Sequence, residues 1–280
     1  MLVELAIGDA YGAGFEYAPE AFVREQNTLA DYVQHPGHKI LPGRYTDDTQ
    51  MSLAITEALL SGQPWTKELL AEHFVNAFNR DPREGYAKRF YEFLQTVKTG
   101  TDFLARIDPV SDKSGAAMRA GPLGVLPNFA EVVSKTTLQA KVTHDTMDGI
   151  NSALAAAFCV HYCLYQLGPL EEIGQFIERH VIGSWSAPWV GPVGAKGWMS
   201  VRAAITVLSR ASKMSEMLKA CVDFTGDVDT VAAVALAAGS VCVAIEQDLP
   251  PVLFDHLENG PYGRDHLAAL DKQLMALARP

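Results

Sequence analysis

Apolar residues recur at helical spacing through most of this chain, and the strict alternation of a half-buried strand is scarce. Thr66–Phe78 places Leu69, Leu70, Phe74 and Val75 on one face, and Ala87–Lys98 does the same with Phe90, Phe93, Leu94 and Val97. Further helices are expected over Met1–Gly14, Met51–Leu60, Ile150–Leu167, Leu170–Val181 and Trp198–Leu208, the last leading on through Met214–Cys221. Val231–Ile245 is apolar almost throughout, the pattern of a helix enclosed by other helices. Pro122 and Pro127 mark helix boundaries, and the C-terminal region reads as helix broken at Pro250-Pro251 and Gly260-Pro261. Pro19–Arg44 reads mainly as loop, Asn79–Gly85 as a break, and Ser184–Gly197 as irregular. Trp185, Trp189 or Trp198 could wall a pocket there or simply pack a loop. No fixed-period repeat is visible. The pattern predicts one all-α domain over residues 1–280.

Two short stretches interrupt this apolar plan. Tyr45-Thr46-Asp47-Asp48-Thr49-Gln50 stands before the Met51–Leu60 run, and Thr225-Gly226-Asp227-Val228-Asp229-Thr230 before Val231. Asp47 with Gln50 three residues later fits a capping box, and Asp227 fits an N-cap with an acidic first turn. Each stretch nevertheless carries more carboxylate than a cap uses, ahead of a helix too apolar to face solvent. Carboxylates crowded at a buried surface raise one another's pKa, and a divalent cation removes that cost. Carboxylate and hydroxyl oxygens without Cys or His suit a hard ion such as Mg²⁺, Mn²⁺ or Ca²⁺. The partly positive helix N-terminus opposes a cation, so the carboxylates must outweigh it.

Composition narrows the function. The chain has 280 residues, 48% hydrophobic and 20% charged, with a formal net charge of −10 and no run of Lys and Arg. That argues against non-specific nucleic-acid binding, which needs basic surface. The N-terminus shows no signal-peptide pattern, and no apolar run is long enough for a membrane span. Cys159, Cys163, Cys221 and Cys242 form no metal or disulfide framework and read as reduced core residues, consistent with a cytoplasmic setting.

Three weaker features remain. Asp112-Lys113-Ser114-Gly115-Ala116-Ala117-Met118-Arg119 is a small-residue turn opening a helix. Backbone N–H groups there could hold a phosphate with Lys113 or Arg119 assisting, or the turn could be a close-packed helix start with a structural Arg119. Thr143-His144-Asp145 offers an N-cap for the next apolar helix. Gly8-Asp9-Ala10-Tyr11-Gly12 is small enough to pack closely on a neighbour, with Glu16 in the loop beyond; Asp9 and Glu16 alone read as cap or surface groups.

In order, Gly8-Asp9-Ala10-Tyr11-Gly12 with Glu16, Tyr45-Thr46-Asp47-Asp48-Thr49, Ser114–Arg119, Thr143-His144 and Gly226-Asp227-Val228-Asp229-Thr230 resemble the ADP-ribosylglycohydrolase family across nearly the whole chain. The resemblance implies a single-domain orthogonal helical bundle with two divalent cations, Mg²⁺ or Mn²⁺. It implies Thr46, Asp47 and Asp48 as one ligand group and Asp227, Asp229 and Thr230 as the other. Lys113, Ser114, Gly115, Ala116, Ala117, Met118 and Arg119 match the loop that holds ADP-ribose, and His144 a substrate-contacting histidine. Glu16 matches a flap glutamate; Asp47, Asp48 and Glu16 are the catalytic candidates. Departures bear on substrate preference: Lys113 stands where Gly is common, Ser114 where Asn is common, and Thr225 and Val228 break the usual Gly-Gly-Asp-Thr-Asp-Thr. The implied reaction is hydrolysis of the bond between ADP-ribose and an acceptor, on an ADP-ribosylated protein side chain such as arginine or a small ADP-ribosyl conjugate. Hydrolysis of another nucleotide or glycoside, a non-catalytic ADP-ribose binder, and a scaffold with acidic caps are the alternatives.

Overall fold

The computed structural model describes residues 1–278. Its helices are α1 (Leu2–Ala13), α2 (Glu20–Gln26), α3 (Asp47–Leu60), α4 (Lys67–Arg80), α5 (Lys88–Thr96), α6 (Gly100–Arg106), α7 (Gly115–Met118) and α8 (Phe129–Ala140). They continue as α9 (Met147–Leu164), α10 (Ile173–Glu178), α11 (Gly197–Leu208), α12 (Met214–Asp223), α13 (Val228–Gly239), α14 (Pro251–Asp255) and α15 (Arg264–Ala276). Among the described residues the β structure is confined to isolated bridges. The all-α reading therefore holds.

Helix α13 is buried along its whole length, from Val228 to Gly239. It packs most extensively on α1 and is also flanked by α9, α11 and α12. The α1 contact is a backbone approach. A Cβ at Gly8 would lie 2.6 Å from the Ala232 carbonyl oxygen, and one at Gly12 2.4 Å from the Asp229 Cα. One turn apart, the two glycines present a side-chain-free groove that brings α1 to the start of α13. Helix α3 then packs on α1 and α4, and α4 on α6, so the starts of α3 and α13 face a common space beside α1. The buried apolar residues form one contiguous cluster.

Several boundaries differ from the sequence reading for identifiable reasons. Pro19–Arg44 contains α2, a helix with a single buried residue, Val23. Helices α6 and α8 were not expected; Thr99 and Asn128 cap them through side-chain oxygens that accept from Asp102 N and Glu131 N. The cap of α9 is Thr146, accepting from Gly149 N, rather than any of Thr143, His144 or Asp145. The apolar run after Val231 leaves the helix at Gly239, short of Ile245. Pro122 sits inside a 3₁₀ turn, Gly121–Val125. The four cysteines are free and buried. Trp185 is buried, while Trp189 meets Trp198 edge-on and lines a cavity of about 410 Å³ with Thr206, Met217 and Phe224. None of the acidic residues of the two clusters lines that cavity.

Candidate active site

The start of α3 is capped by a residue thirty-seven positions upstream. Asp9, fully buried on α1, accepts from Thr46 N through both oxygens at 3.0 Å and from Thr46 Oγ1 at 2.7 Å. It also accepts from Thr49 N at 2.9 Å and Thr49 Oγ1 at 2.6 Å. Asp9 thus satisfies two of the orphan N–H donors at the start of α3, and the local capping box is not formed. Gln50 instead donates to the carbonyls of Ala77 and Asp81, at 3.1 and 2.6 Å, and accepts from Tyr86 Oη at 2.7 Å. Asp47 and Asp48 are thereby released from capping. Gly85, at φ +104°, lets the chain pass where a Cβ would stand 2.3 Å from Asp47 Oδ1.

The second cluster is aimed by a turn with left-handed residues Thr225 (φ 63°) and Gly226 (φ 88°). Val193 N donates to Thr225 O at 2.9 Å, and Asp227 N to Val193 O at 3.0 Å. A Cβ at Gly226 would lie 1.9 Å from Val193 O, so only glycine fits. Asp227 occupies the N-cap position of α13 but makes no side-chain cap bond. It accepts from Ser200 Oγ at 2.7 Å instead. Tyr17 N donates to Gly226 O at 2.9 Å, which ties the Glu16 segment to this turn.

The two clusters and Glu16 converge. One oxygen from each of Glu16, Asp227 and Asp229 lies within 4.8 Å of the other two. Thr46, Asp47, Asp48, Asp227, Asp229 and Thr230 are all buried. Burial first, and then neighbouring carboxylates, push Asp47, Asp48 and Asp229 well above the usual carboxylate range. The neighbours of Asp48 include Asp9, Asp47 and Asp227, so the clusters act on each other across the site. Burial raises Glu16 to about 7, with Asp227 and Asp9 adding to the effect. Asp227 is raised by burial to about 6, against the pull of the Ser200 and Ser114 hydroxyls and Lys113. Among the described residues none of these carboxylates forms a salt bridge. Asp48 Oδ1 is buried without a hydrogen-bond partner. An all-oxygen set with excess negative charge and an orphaned carboxylate oxygen fits a hard divalent cation.

The loop Lys113–Arg119 divides into an accessible half and a buried half. Lys113 is exposed and Ser114 and Gly115 half-buried, whereas Ala116, Ala117, Met118 and Arg119 are enclosed. The Arg119 guanidinium lies over the Phe74 ring, 4.4 Å from its centroid. It donates to Gln139 Oε1 at 2.7 Å, Gln139 O at 3.2 Å and Thr143 Oγ1 at 2.8 Å. Gln139 Nε2 in turn donates to Ala116 O at 2.9 Å. Arg119 therefore braces the loop from behind, as the structural alternative anticipated.

The same network orients His144. Thr143 Oγ1 accepts from Arg119 and lies 2.6 Å from His144 Nδ1. With Thr143 Oγ1 already accepting from Arg119, we assign its proton to His144 Nδ1 and the ring hydrogen to Nε2. That Nε2 is buried without a partner and faces Gly115, where a Cβ would lie 3.3 Å from it. Burial, followed by Arg119, depresses the imidazole to about 3, so it is neutral.

Sequence reasoning missed several supports. Asp9 was read as a cap or surface group, and its role as a distant cap becomes visible only when α1 meets α3. Gly85, Ser200, Thr143 and Gln139 carry no local signature of what they do. The hints for Asp9 are its place between Gly8 and Gly12 and the share of that segment in the family resemblance.

Fold and site together define an all-α protein with a cluster of buried carboxylates at the starts of two buried helices. The chain belongs to the ADP-ribosylglycohydrolase family, whose model matches residues 1–280. It is 26% identical over 191 residues to the ADP-ribosylhydrolase ARH3 of Xenopus tropicalis, covering 64% of this chain and 53% of that protein. It is 24% identical over 172 residues to the ADP-ribosylarginine hydrolase Tri1 of Serratia proteamaculans, covering 58% and 46%. The chain thus spans about half the length of these relatives. A solved structure described as an ADP-ribosylglycohydrolase-related protein complex superimposes with a TM-score of 0.76 over 99% of this chain and 96% of that one, at 24% identity. That likeness shows the fold. No helix among the described residues is long and apolar enough to cross a membrane.

Proposed function

We propose that this protein is a metal-dependent hydrolase that cleaves the N- or O-glycosidic bond joining ADP-ribose to an acceptor, on an ADP-ribosylated protein or a small ADP-ribosyl conjugate. The observation that carries the proposal is that Glu16, Asp227 and Asp229 bring one oxygen each within 4.8 Å of one another, with the buried Asp47 and Asp48 of α3 near enough for their charges to act on the same group. A scaffold of caps has no use for that arrangement, because Asp9 caps α3 and Asp227 makes no side-chain cap bond. A pure ADP-ribose binder has no need for charge so concentrated. Membership of the family and the relatives' printed activities support the substrate class.

Thr46, Asp47 and Asp48 on one side, and Asp227, Asp229 and Thr230 on the other, would hold two divalent cations, Mg²⁺ or Mn²⁺. When bound, such ions supply Lewis acidity and offset the negative charge. The remaining work falls to the chain. The carboxylates stabilise the positive charge that develops at the anomeric carbon in an oxocarbenium-like transition state. Glu16, one oxygen of which lies within 4.8 Å of Asp227 and Asp229, would take a proton from the attacking water; Asp47 and Asp48 are the other proton acceptors within the site. Lys113, Ser114 and Gly115 form the accessible part of the diphosphate-binding turn, and Ala116, Ala117, Met118 and Arg119 support it. His144 offers its Nε2–H to the substrate. The departures at Lys113 and Ser114 both act next to Asp227, which makes them the positions where acceptor preference is set.

The test is release of free ADP-ribose from an arginine-ADP-ribosylated protein, with Mg²⁺, with Mn²⁺ and with chelator. Metal-dependent release supports the proposal. No release from arginine, serine, nucleobase or small-molecule conjugates overturns it.

A further inference from the structure

We infer that His35 and His38 are positioning residues for Glu16: together they clasp residues 13–16 against the acidic site. The inference rests on the proposed role of Glu16 and extends it to residues that the catalytic reading does not use.

The geometry is specific. His35 Nε2 lies 2.9 Å from Glu16 O, and His38 Nε2 lies 3.0 Å from Ala13 O. A carbonyl oxygen can only accept, so both Nε2 atoms carry hydrogen. The opposite nitrogens are also engaged. His35 Nδ1 accepts from Gly37 N at 2.9 Å and His38 N at 3.2 Å, and His38 Nδ1 accepts from Ile40 N at 3.3 Å. The two rings stack in parallel, 3.9 Å between centroids and 4° between planes. Gln34 Nε2 closes the loop by donating to the carbonyls of His38 and Ile40, at 3.0 and 3.1 Å. Residues 34–40 thus form a self-bonded unit whose two outward N–H groups both point at the backbone carrying Glu16.

The other side of that segment is equally constrained. Tyr17 N is bonded to Gly226 O, and Tyr17 holds a left-handed φ of 52°. A Cβ at Gly14 would lie 2.8 Å from Val33 O, so the segment passes flush against the residues that lead into the histidine loop. Glu16 is therefore held between two fixtures, the turn that aims Asp227 and the histidine pair. The pair fixes the backbone on each side of Gly14 and Phe15, which determines where the Glu16 carboxylate falls. Neither histidine reaches the acidic oxygens through any hydrogen bond found among the described residues, so their effect on chemistry must pass through Glu16.

The test combines amide hydrogen exchange of the full chain with turnover. In the His35→Ala, His38→Ala double variant, exchange should rise in peptides covering residues 11–18 while α13 stays protected. Turnover of an accepted conjugate should fall about tenfold with little change in KM, because misplacing a reacting group affects kcat. The same pair of substitutions in a Glu16→Ala background should cost less than about twofold, since non-additivity is expected for groups that act through one another. His35→Gln, which keeps a donor at the position of Nε2, should recover part of the loss. Unchanged exchange at residues 11–18 overturns the clasp, and an equal loss with and without Glu16 overturns the positioning role. Should wild type release ADP-ribose from no conjugate, the hydrolase proposal fails, and the exchange measurement still decides the clasp.

Discussion

Replacing Asp227 with Asn should make the metal-free protein more stable while abolishing turnover. Asp227 is almost completely buried and raised from 3.8 to about 6, chiefly by burial. A displacement of about two units corresponds to roughly 3 kcal/mol for holding the group ionised in the folded state. Asn avoids that cost and can still accept from Ser200 Oγ, so a net gain of about 1–3 kcal/mol is expected at pH 8 with chelator. For a chain of this length that is a rise in Tm of roughly 2–5 °C. The sign has a pH signature. A carboxyl whose folded pKa lies above its unfolded one binds more protons folded than unfolded between those values, so wild-type stability falls as pH rises from about 4 through 6. The advantage of Asn should therefore shrink toward pH 5, where Asp227 is protonated in the folded state. Mg²⁺ or Mn²⁺ should raise the Tm of wild type and leave the variant nearly unmoved. Thermal unfolding at pH 5 and pH 8, with and without metal, reads all of this. A variant no more stable than wild type at pH 8 in chelator would refute the reasoning, because holding Asp227 ionised would then carry no net cost in the folded state.

Asp9→Ala should destabilise the fold by about 3–5 kcal/mol, because it strands two backbone N–H groups and two hydroxyls that now share one carboxylate; a shift in urea midpoint equivalent to less than about 1 kcal/mol would remove Asp9 from its capping role. Gly85→Ala should weaken divalent-ion binding at least tenfold by calorimetry, on the order of 1.4 kcal/mol, since the new Cβ would collide with Asp47 Oδ1; unchanged affinity would show that Asp47 is not held by this approach. Thr143→Val should cost about 1–3 kcal/mol and release the His144 tautomer, visible as a change in its ring ¹⁵N shifts; retention of the Nε2–H form would show that Arg119 and Thr143 do not set it.

Helices with a clean apolar stripe or an all-apolar run were legible in the sequence, and those stabilised by other means were not. Helix α8 buries Thr136 and Gln139 beside Val132 and Ala140, so its inward face looks polar on paper. Gln139 is inward because Arg119 and the Ala116 carbonyl need a partner there. Helix α2 buries only Val23, and α6 spans seven residues, too few for periodicity to emerge. The end of α13 was overestimated for the opposite reason. The run stays apolar through Ile245, but the backbone turns after Gly239, where a Cβ would meet the Met217 side chain at 2.2 Å.

The acidic groups were legible because charge ahead of an apolar helix is locally conspicuous, yet the local pattern could not separate a cap from a site. The distinction is made by residues remote in sequence. Asp9 takes over the capping of α3 from α1, and Gly8 and Gly12 allow that only by removing side chains between α1 and α13. Once α3 is capped from outside, Asp47 and Asp48 are left for the site, and the Gly226 turn brings Asp227 and Asp229 within electrostatic reach of Asp48. The resulting repulsion is a property of tertiary structure alone. It destabilises the fold, and under the proposed function a cation would relieve it, which makes stability in chelator a sensitive reporter of that function.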